Sequence, residues 1–229
     1  MNDRGENRQQ IWDDYLADGG MYHKNVRHMF TEYNRYYEAD LITLTMQQRG
    51  VDLTKLKVLD YGCGAGDYGI EFCRKGASVS FYDFPRSTQL VAYRLGREKL
   101  SNGHAISADH HPYKRFHSKL INFDLIIFGE VLEHLDNPLA ILKQINTYRV
   151  KYIFTSSYPY RSTDKKDPYW SNADHENGAR LLIPECQKLL EENYDYQQFT
   201  GQLRLWERKP KSKILTTKNS SSLIKQAYK

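Results

Sequence analysis

The chain has 229 residues, 40% of them hydrophobic, and a formal charge of +5, which suits one domain with a well-buried core. No apolar run approaches the ~20 residues that a membrane-spanning helix needs, and the charged start Met1–Gln10 is read as carrying no signal peptide. The six lysines of residues 209–229 exceed the whole formal charge, leaving the rest of the chain at −1, so the folded body lacks the basic footprint of a dedicated nucleic-acid binder.

Residues 10–49 read as helical. Trp12, Tyr15 and Leu16 open one amphipathic piece, Gly19-Gly20 interrupts it, and a longer helix spans about 22–48. Its expected apolar stripe is Val26, Met29, Phe30, Tyr33, Tyr37, Leu41, Leu44 and Thr45, at spacings of three and four. Strands and helices then alternate. Strand one is predicted at 56–60 with its helix at 66–75, strand two at 78–82 with a helix at 87–100, strand three at 104–107 and strand four at 123–128. Asn137-Pro138 forms a helix start, with Asn137 as cap and Pro138 in the first turn. That helix runs to about Tyr148, and Lys151–Ser156 is strand five.

The segment 157–183 carries Tyr158, Tyr160, Arg161, Trp170 and His175 without a strand or helix period, and a loop of that length inside a domain is usually functional. A helix at 184–193 and two strands about Thr200-Gly201 close the pattern. Alternating β and α signals define an α/β protein with a mostly parallel sheet. Cys63, Cys73 and Cys186 have no metal-ligand spacing and read as reduced thiols in a cytoplasmic protein, with Cys63 a packing residue.

Chemistry concentrates at two places. Val58-Leu59-Asp60-Tyr61-Gly62-Cys63-Gly64-Ala65-Gly66 is a strand end, a glycine turn and a helix start. Glycine permits positive φ and close approach of backbone to a ligand, and the helix start presents unpaired N–H groups. Asp83 ends the second strand 23 residues after Asp60, where such sheets place a carboxylate for ribose hydroxyls; Phe84 beside it could pack on an adenine face. The second place is Phe123-Asp124-Leu125-Ile126-Ile127-Phe128-Gly129-Glu130-Val131-Leu132-Glu133-His134. Read as one helical turn, Glu130, Glu133 and His134 share a face. They could supply a base, hold a divalent metal, or serve structure alone.

The Asp-x-Gly-x-Gly-x-Gly turn resembles motif I of class I S-adenosylmethionine (SAM) dependent methyltransferases. The Glu-Val-Leu-Glu-His run is similar to the motif after strand four in the branch that includes the ubiquinone-biosynthesis O-methyltransferases. The resemblance covers roughly 40–208 and implies a Rossmann-like seven-stranded sheet, mostly parallel, with helices on both faces and an antiparallel last strand. It divides the chain into an N-terminal helical lid (1–50), a SAM-binding methyltransferase domain (51–208) and a flexible basic tail (209–229). It implies SAM as cofactor and S-adenosylhomocysteine as product. Asp60, Tyr61, Gly62, Gly64 and Gly66 would hold the methionine end, Asp83 the ribose, Phe84 and Asp109 the adenine, and Gly129 and Glu130 the crevice wall. Glu133, His134 and His175 are the expected catalytic residues.

The resulting expectation is an enzyme that methylates a small-molecule acceptor at a hydroxyl oxygen, with no membrane partner and with a homodimer left open. Two rivals stand beside it. One is an RNA 2′-O-methyltransferase with a metal at Glu130, Glu133, His134 and His175; the other is a non-catalytic SAM-binding protein of the same fold.

Overall fold

The computed structural model describes residues 34–108, 122–156, 182–199 and 203–210. Its core is one seven-stranded sheet: β1 (Lys57–Tyr61), β2 (Ser78–Asp83), β3 (Gly103–Ser107), β4 (Leu125–Phe128), β5 (Tyr152–Thr155), β6 (Tyr194–Gln198) and β7 (Arg204–Arg208), in the order β3-β2-β1-β4-β5-β7-β6. β1 to β5 pair in parallel, whereas β7 runs antiparallel to both β5 and β6. The expected fold class and the strand positions are borne out, with ends displaced by one or two residues. Parallel strands buried on both faces read as continuous apolar runs, and all four residues of β4 and of β5 are buried.

Alternate side chains of a strand enter opposite layers. Leu59, Tyr61, Ile126, Phe128, Ile153 and Trp206 face α4 (Pro138–Tyr148) and α5 (Ile183–Asn193). Val58, Leu125, Ile127, Phe154 and Leu205 face α1 (Asn34–Gln48), α2 (Asp67–Arg74) and α3 (Pro85–Glu98). Asn137 caps α4 as expected, its side chain accepting from Ala140 N–H at 2.9 Å. Two buried polar groups in the sheet find partners: the Trp206 indole N–H donates to Thr155 Oγ1 at 3.0 Å, and the Tyr194 hydroxyl donates to the Val150 carbonyl at 3.1 Å.

Helix α1 corrects one expectation. Its buried positions are Ala39, Ile42, Thr43, Thr45 and Met46, while Tyr37 is 69% and Leu44 45% exposed. The buried stripe is therefore rotated away from Tyr37 and Leu44, while Thr45 is buried as expected; Val26, Met29, Phe30 and Tyr33 lie outside the described residues. Just past the far end of α1, Arg49 ties the chain to β7, donating to Glu207 at 3.2 Å. The near end reaches the carboxyl ends of the strands. Of the expected basic tail, Lys209 still belongs to the fold, its N–H donating to the Asn193 carbonyl at 3.0 Å; residues 211–229 lie outside the described residues.

The rotated face makes a direct prediction. Met46→Ala should cost about 2–5 kcal/mol, whereas Leu44→Ala should stay within about 0.5 kcal/mol of wild type. Urea denaturation checks both, and equal losses would contradict the packing of α1.

Candidate functional site

The β1–α2 turn is where the sheet offers bare backbone. Gly62, Gly64 and Gly66 have φ of 71°, 54° and 79°, values that L side chains rarely adopt. A Cβ on Gly62 would also meet the Val131 side chain at 2.7 Å. The Gly62 and Cys63 N–H groups donate to the Tyr82 carbonyl at 2.8 and 3.3 Å, and Gly66 N–H donates to the Cys63 carbonyl at 2.7 Å.

Two buried carboxylates brace this turn. Asp83, at the end of β2, accepts from Gly64 N–H at 2.7 Å and from Phe84 N–H at 2.6 Å, one on each oxygen. Asp60, near the end of β1, accepts from Gly69 N–H in the first turn of α2 at 3.0 Å. Burial pushes both carboxyls up, Asp60 to about 7 and Asp83 to about 6, against the pull of those N–H donors. Burial also raises the thiols, to about 12 at Cys73 and Cys186 and well above the ordinary value at Cys63. This is the behaviour of packing residues rather than nucleophiles.

Of the other expected residues, Tyr61 and Phe84 are buried in the layer facing α4 and α5. The Tyr61 ring packs tilted against Tyr82 and Phe128, with centroids 5.2 and 5.5 Å apart, so its side chain is a core element. Gly129 follows β4 directly, and a Cβ there would meet the Tyr68 ring at 2.3 Å. Asp109 and His175 lie outside the described residues, as do Tyr158, Tyr160, Arg161 and Trp170.

The expected helical face of Glu130, Glu133 and His134 is not what forms. Glu130 is left-handed, with φ 55°, and precedes a single 3-10 turn, Leu132–His134. That backbone sends the three side chains different ways. Glu133 is buried, 1% exposed, and His134 is half-buried. Glu130 pairs with Arg35 of α1 at 2.5 Å, while its N–H donates to Ser156 Oγ at 2.9 Å. A left-handed non-glycine residue costs of order 1–3 kcal/mol and persists where its surroundings hold it. Among the described residues, no group of three or more His, Cys, Asp or Glu is arranged to hold a metal.

Tyr36, one of the helix tyrosines that the sequence offers for a pocket lining, stands by the turn with three residues to which the sequence assigns no role: Arg35, Asp67 and Arg94. Asp67 sits in the first turn of α2, a place where an acid favours the helix dipole, and that was a usable signal. The others touch the turn only through the fold.

A glycine turn at the carboxyl end of β1, an acid at the end of β2 and the order β3-β2-β1-β4-β5-β7-β6 define a Rossmann-like α/β protein with a ligand crevice at its strand ends. The family model of the methyltransferase domain matches residues 31–175, more than half of the chain, and the chain belongs to that family. A ubiquinone biosynthesis O-methyltransferase of Histophilus somni is 31% identical over 100 residues, 43% of this chain and 42% of that protein. The protein of the same name from Actinobacillus pleuropneumoniae is 32% identical over 105 residues, covering 43% of each chain. The chain thus spans less than half the length of the curated relatives it matches. Among solved structures, magnesium protoporphyrin IX methyltransferase from Synechocystis PCC 6803, with bound S-adenosylhomocysteine, aligns with a TM-score of 0.61 at 16% identity, over 87% of this chain and 98% of that one. At that identity the likeness is one of fold. No helix among the described residues is long and apolar enough to cross a membrane.

The buried carboxyls set a pH dependence. A carboxyl whose folded pKa lies above its unfolded value holds its proton better in the native state, so its contribution makes stability fall as pH rises between about 4 and 7. Asp60→Asn keeps an oxygen for Gly69 N–H but cannot ionise. Unfolding curves from pH 4 to 8 should show the variant's decline smaller than wild type's by about 1–4 kcal/mol. Parallel curves would contradict the buried, raised carboxyl.

Proposed function

We propose that this chain is a SAM-dependent methyltransferase acting on a small-molecule acceptor at a hydroxyl oxygen. The observation that carries the reading is the joining of the glycine turn to Asp83, through Gly64 N–H at 2.7 Å, at the carboxyl ends of neighbouring parallel strands. The residues present fit the cofactor. A carboxylate offers about four lone-pair sites; Asp83 uses one on each oxygen within the protein and keeps others for ribose hydroxyls. The buried acids Asp60 and Asp83 suit the site to a sulfonium cation.

When bound, the cofactor supplies a methyl group already activated for in-line displacement. The chain's part is to bind, to align and to take a proton. The backbone of Tyr61, Gly62, Gly64 and Gly66, with Asp60 beneath it, would hold the methionine end. Phe84 and Asp109 would flank the adenine, and Gly129 and Glu130 the crevice wall. Alignment of the acceptor behind the methyl can supply about 7–11 kcal/mol of the barrier.

His134 is the candidate base. It is half-buried, and so can meet both the acceptor and solvent, whereas Glu133 beside it is fully buried and suits an orienting role. His175 is assigned to the same acceptor site. The oxygen acceptor draws support from the names of the two relatives. We place the protein in the cytoplasm and assign the N-terminal segment and residues 157–183 to the cover over the acceptor.

Calorimetric titration with S-adenosylhomocysteine tests the reading. Wild type should bind with micromolar affinity, and Asp83→Ala should bind more than about tenfold more weakly, because a charge-assisted contact is lost. A folded wild-type protein that binds none contradicts the proposal. His134→Ala should leave that affinity nearly intact and slow transfer by about 10²–10⁴-fold, measured by mass spectrometry on a methylated hydroxy compound; equal turnover would remove His134 from the mechanism.

A further inference from the structure

Beneath the glycine turn lies a buried polar knot that methyl transfer itself does not require. Arg94 of α3 is only 6% exposed. Its Nη1 donates to the carbonyl of Ala65, in the middle of the turn, and to Asp67 Oδ1 at 2.7 Å. Its Nη2 donates to the Tyr36 hydroxyl at 2.5 Å, and that hydroxyl donates to the same Asp67 oxygen at 3.0 Å. Three separate elements, α1, α2 and α3, therefore meet at one guanidinium.

An arginine is a costly way to fill this space. Burying an ion pair often gains nothing over well-packed apolar side chains of similar volume. What the guanidinium does, and an apolar residue cannot, is hold the Ala65 carbonyl. The peptide linking Ala65 to Gly66 is then gripped from both sides, its N–H by the Cys63 carbonyl at 2.7 Å and its C=O by Arg94. A glycine-rich turn has wide conformational freedom of its own, so an outside grip decides which way its amides point. Tyr36 adds the second half of the device. Its hydroxyl makes the docking of α1 part of the same network, alongside the Tyr68 hydroxyl, which donates to Glu38 of α1 at 2.6 Å.

We infer that Arg94 and Tyr36 are positioning residues for the cofactor turn, and that through them the docking of α1 is linked to occupancy of the crevice. The inference rests on the cofactor reading above. Linkage is reciprocal: if docked α1 holds the turn in its binding form, a ligand that selects this form must hold α1 down in return.

The test uses the full chain with S-adenosylhomocysteine as probe, reading affinity by calorimetry and amide hydrogen exchange over Ala39–Met46 with and without the probe. In wild type the probe should slow exchange in α1. Tyr36→Phe, which removes one oxygen, should keep the melting temperature close to wild type. It should bind about 3–10-fold more weakly, the effect of one hydrogen bond, and lose most of the slowing. Arg94→Met should weaken binding more than about tenfold, with Arg94→Lys recovering part of it by retaining a charged donor.

Folded Arg94→Met and Tyr36→Phe proteins with wild-type affinity and wild-type slowing overturn the inference while leaving the cofactor reading intact. If Arg94→Met does not fold, Tyr36→Phe decides alone. A wild-type protein that binds no probe overturns the cofactor reading and this inference together.

Discussion

The Asp83 carboxylate holds the site together. By accepting from Gly64 N–H and Phe84 N–H it ties the turn after β1 to the end of β2. Three of the turn's five residues, Gly62, Gly64 and Gly66, have no side chain with which to hold their conformation, so this bond and the grip on the Ala65 carbonyl hold it from outside. The carboxylate is buried to do it, and burial raises its pKa to about 6. Backbone donors offset part of that cost, as hydrogen bonds to a charged group are stronger than neutral ones. The residue that shapes the turn is therefore the one to which the proposed function gives the ribose hydroxyls.

The same logic extends outward. Asp60, Asp67 and Asp83 are buried around the turn, and Arg94 is the one buried arginine among the described residues. Asp67 is neutralised by Arg94, which leaves Asp60 and Asp83 as the acids available to a cation. Glu130 and Arg35 form a further pair at the crevice mouth, linking the end of β4 to α1. Helix α1 thus connects with the site at Arg35 and Tyr36, and Arg49, just after it, connects with β7. Its apolar face lies in the same core as β1, β4 and β5. It is both a core element and a wall of the crevice.

What the amino-acid order disclosed follows from the range of the forces involved. The strands were legible because strands buried on both faces read as near-continuous apolar runs, as Leu125–Phe128 and most of Tyr152–Thr155 do. The turn was legible because only glycine suits positive φ beside packed neighbours, and the α4 cap because Asn137 acts within its own turn. Helix α1 is legible as a helix, but its buried face is set by what packs on it: Ala39, Ile42 and Met46 are buried, whereas Tyr37 and Leu44 are exposed. The single helical turn expected to bring Glu130, Glu133 and His134 to one face does not form, because Glu130 is left-handed between β4 and α4. Arg94 lies 27 residues from Asp67 and 58 from Tyr36, so no local period could have joined them.

The central claim is that the backbone of the β1–α2 turn, braced by Asp83, is the surface that receives the cofactor. Two-dimensional amide NMR of the full chain with saturating S-adenosylhomocysteine tests it most directly. The account predicts large shifts at Gly62, Gly64, Gly66 and Phe84, with little change at residues such as Asn146 and Lys188 on the other face of the sheet. Unmoved glycine resonances at saturation, or shifts confined to another surface, would contradict it.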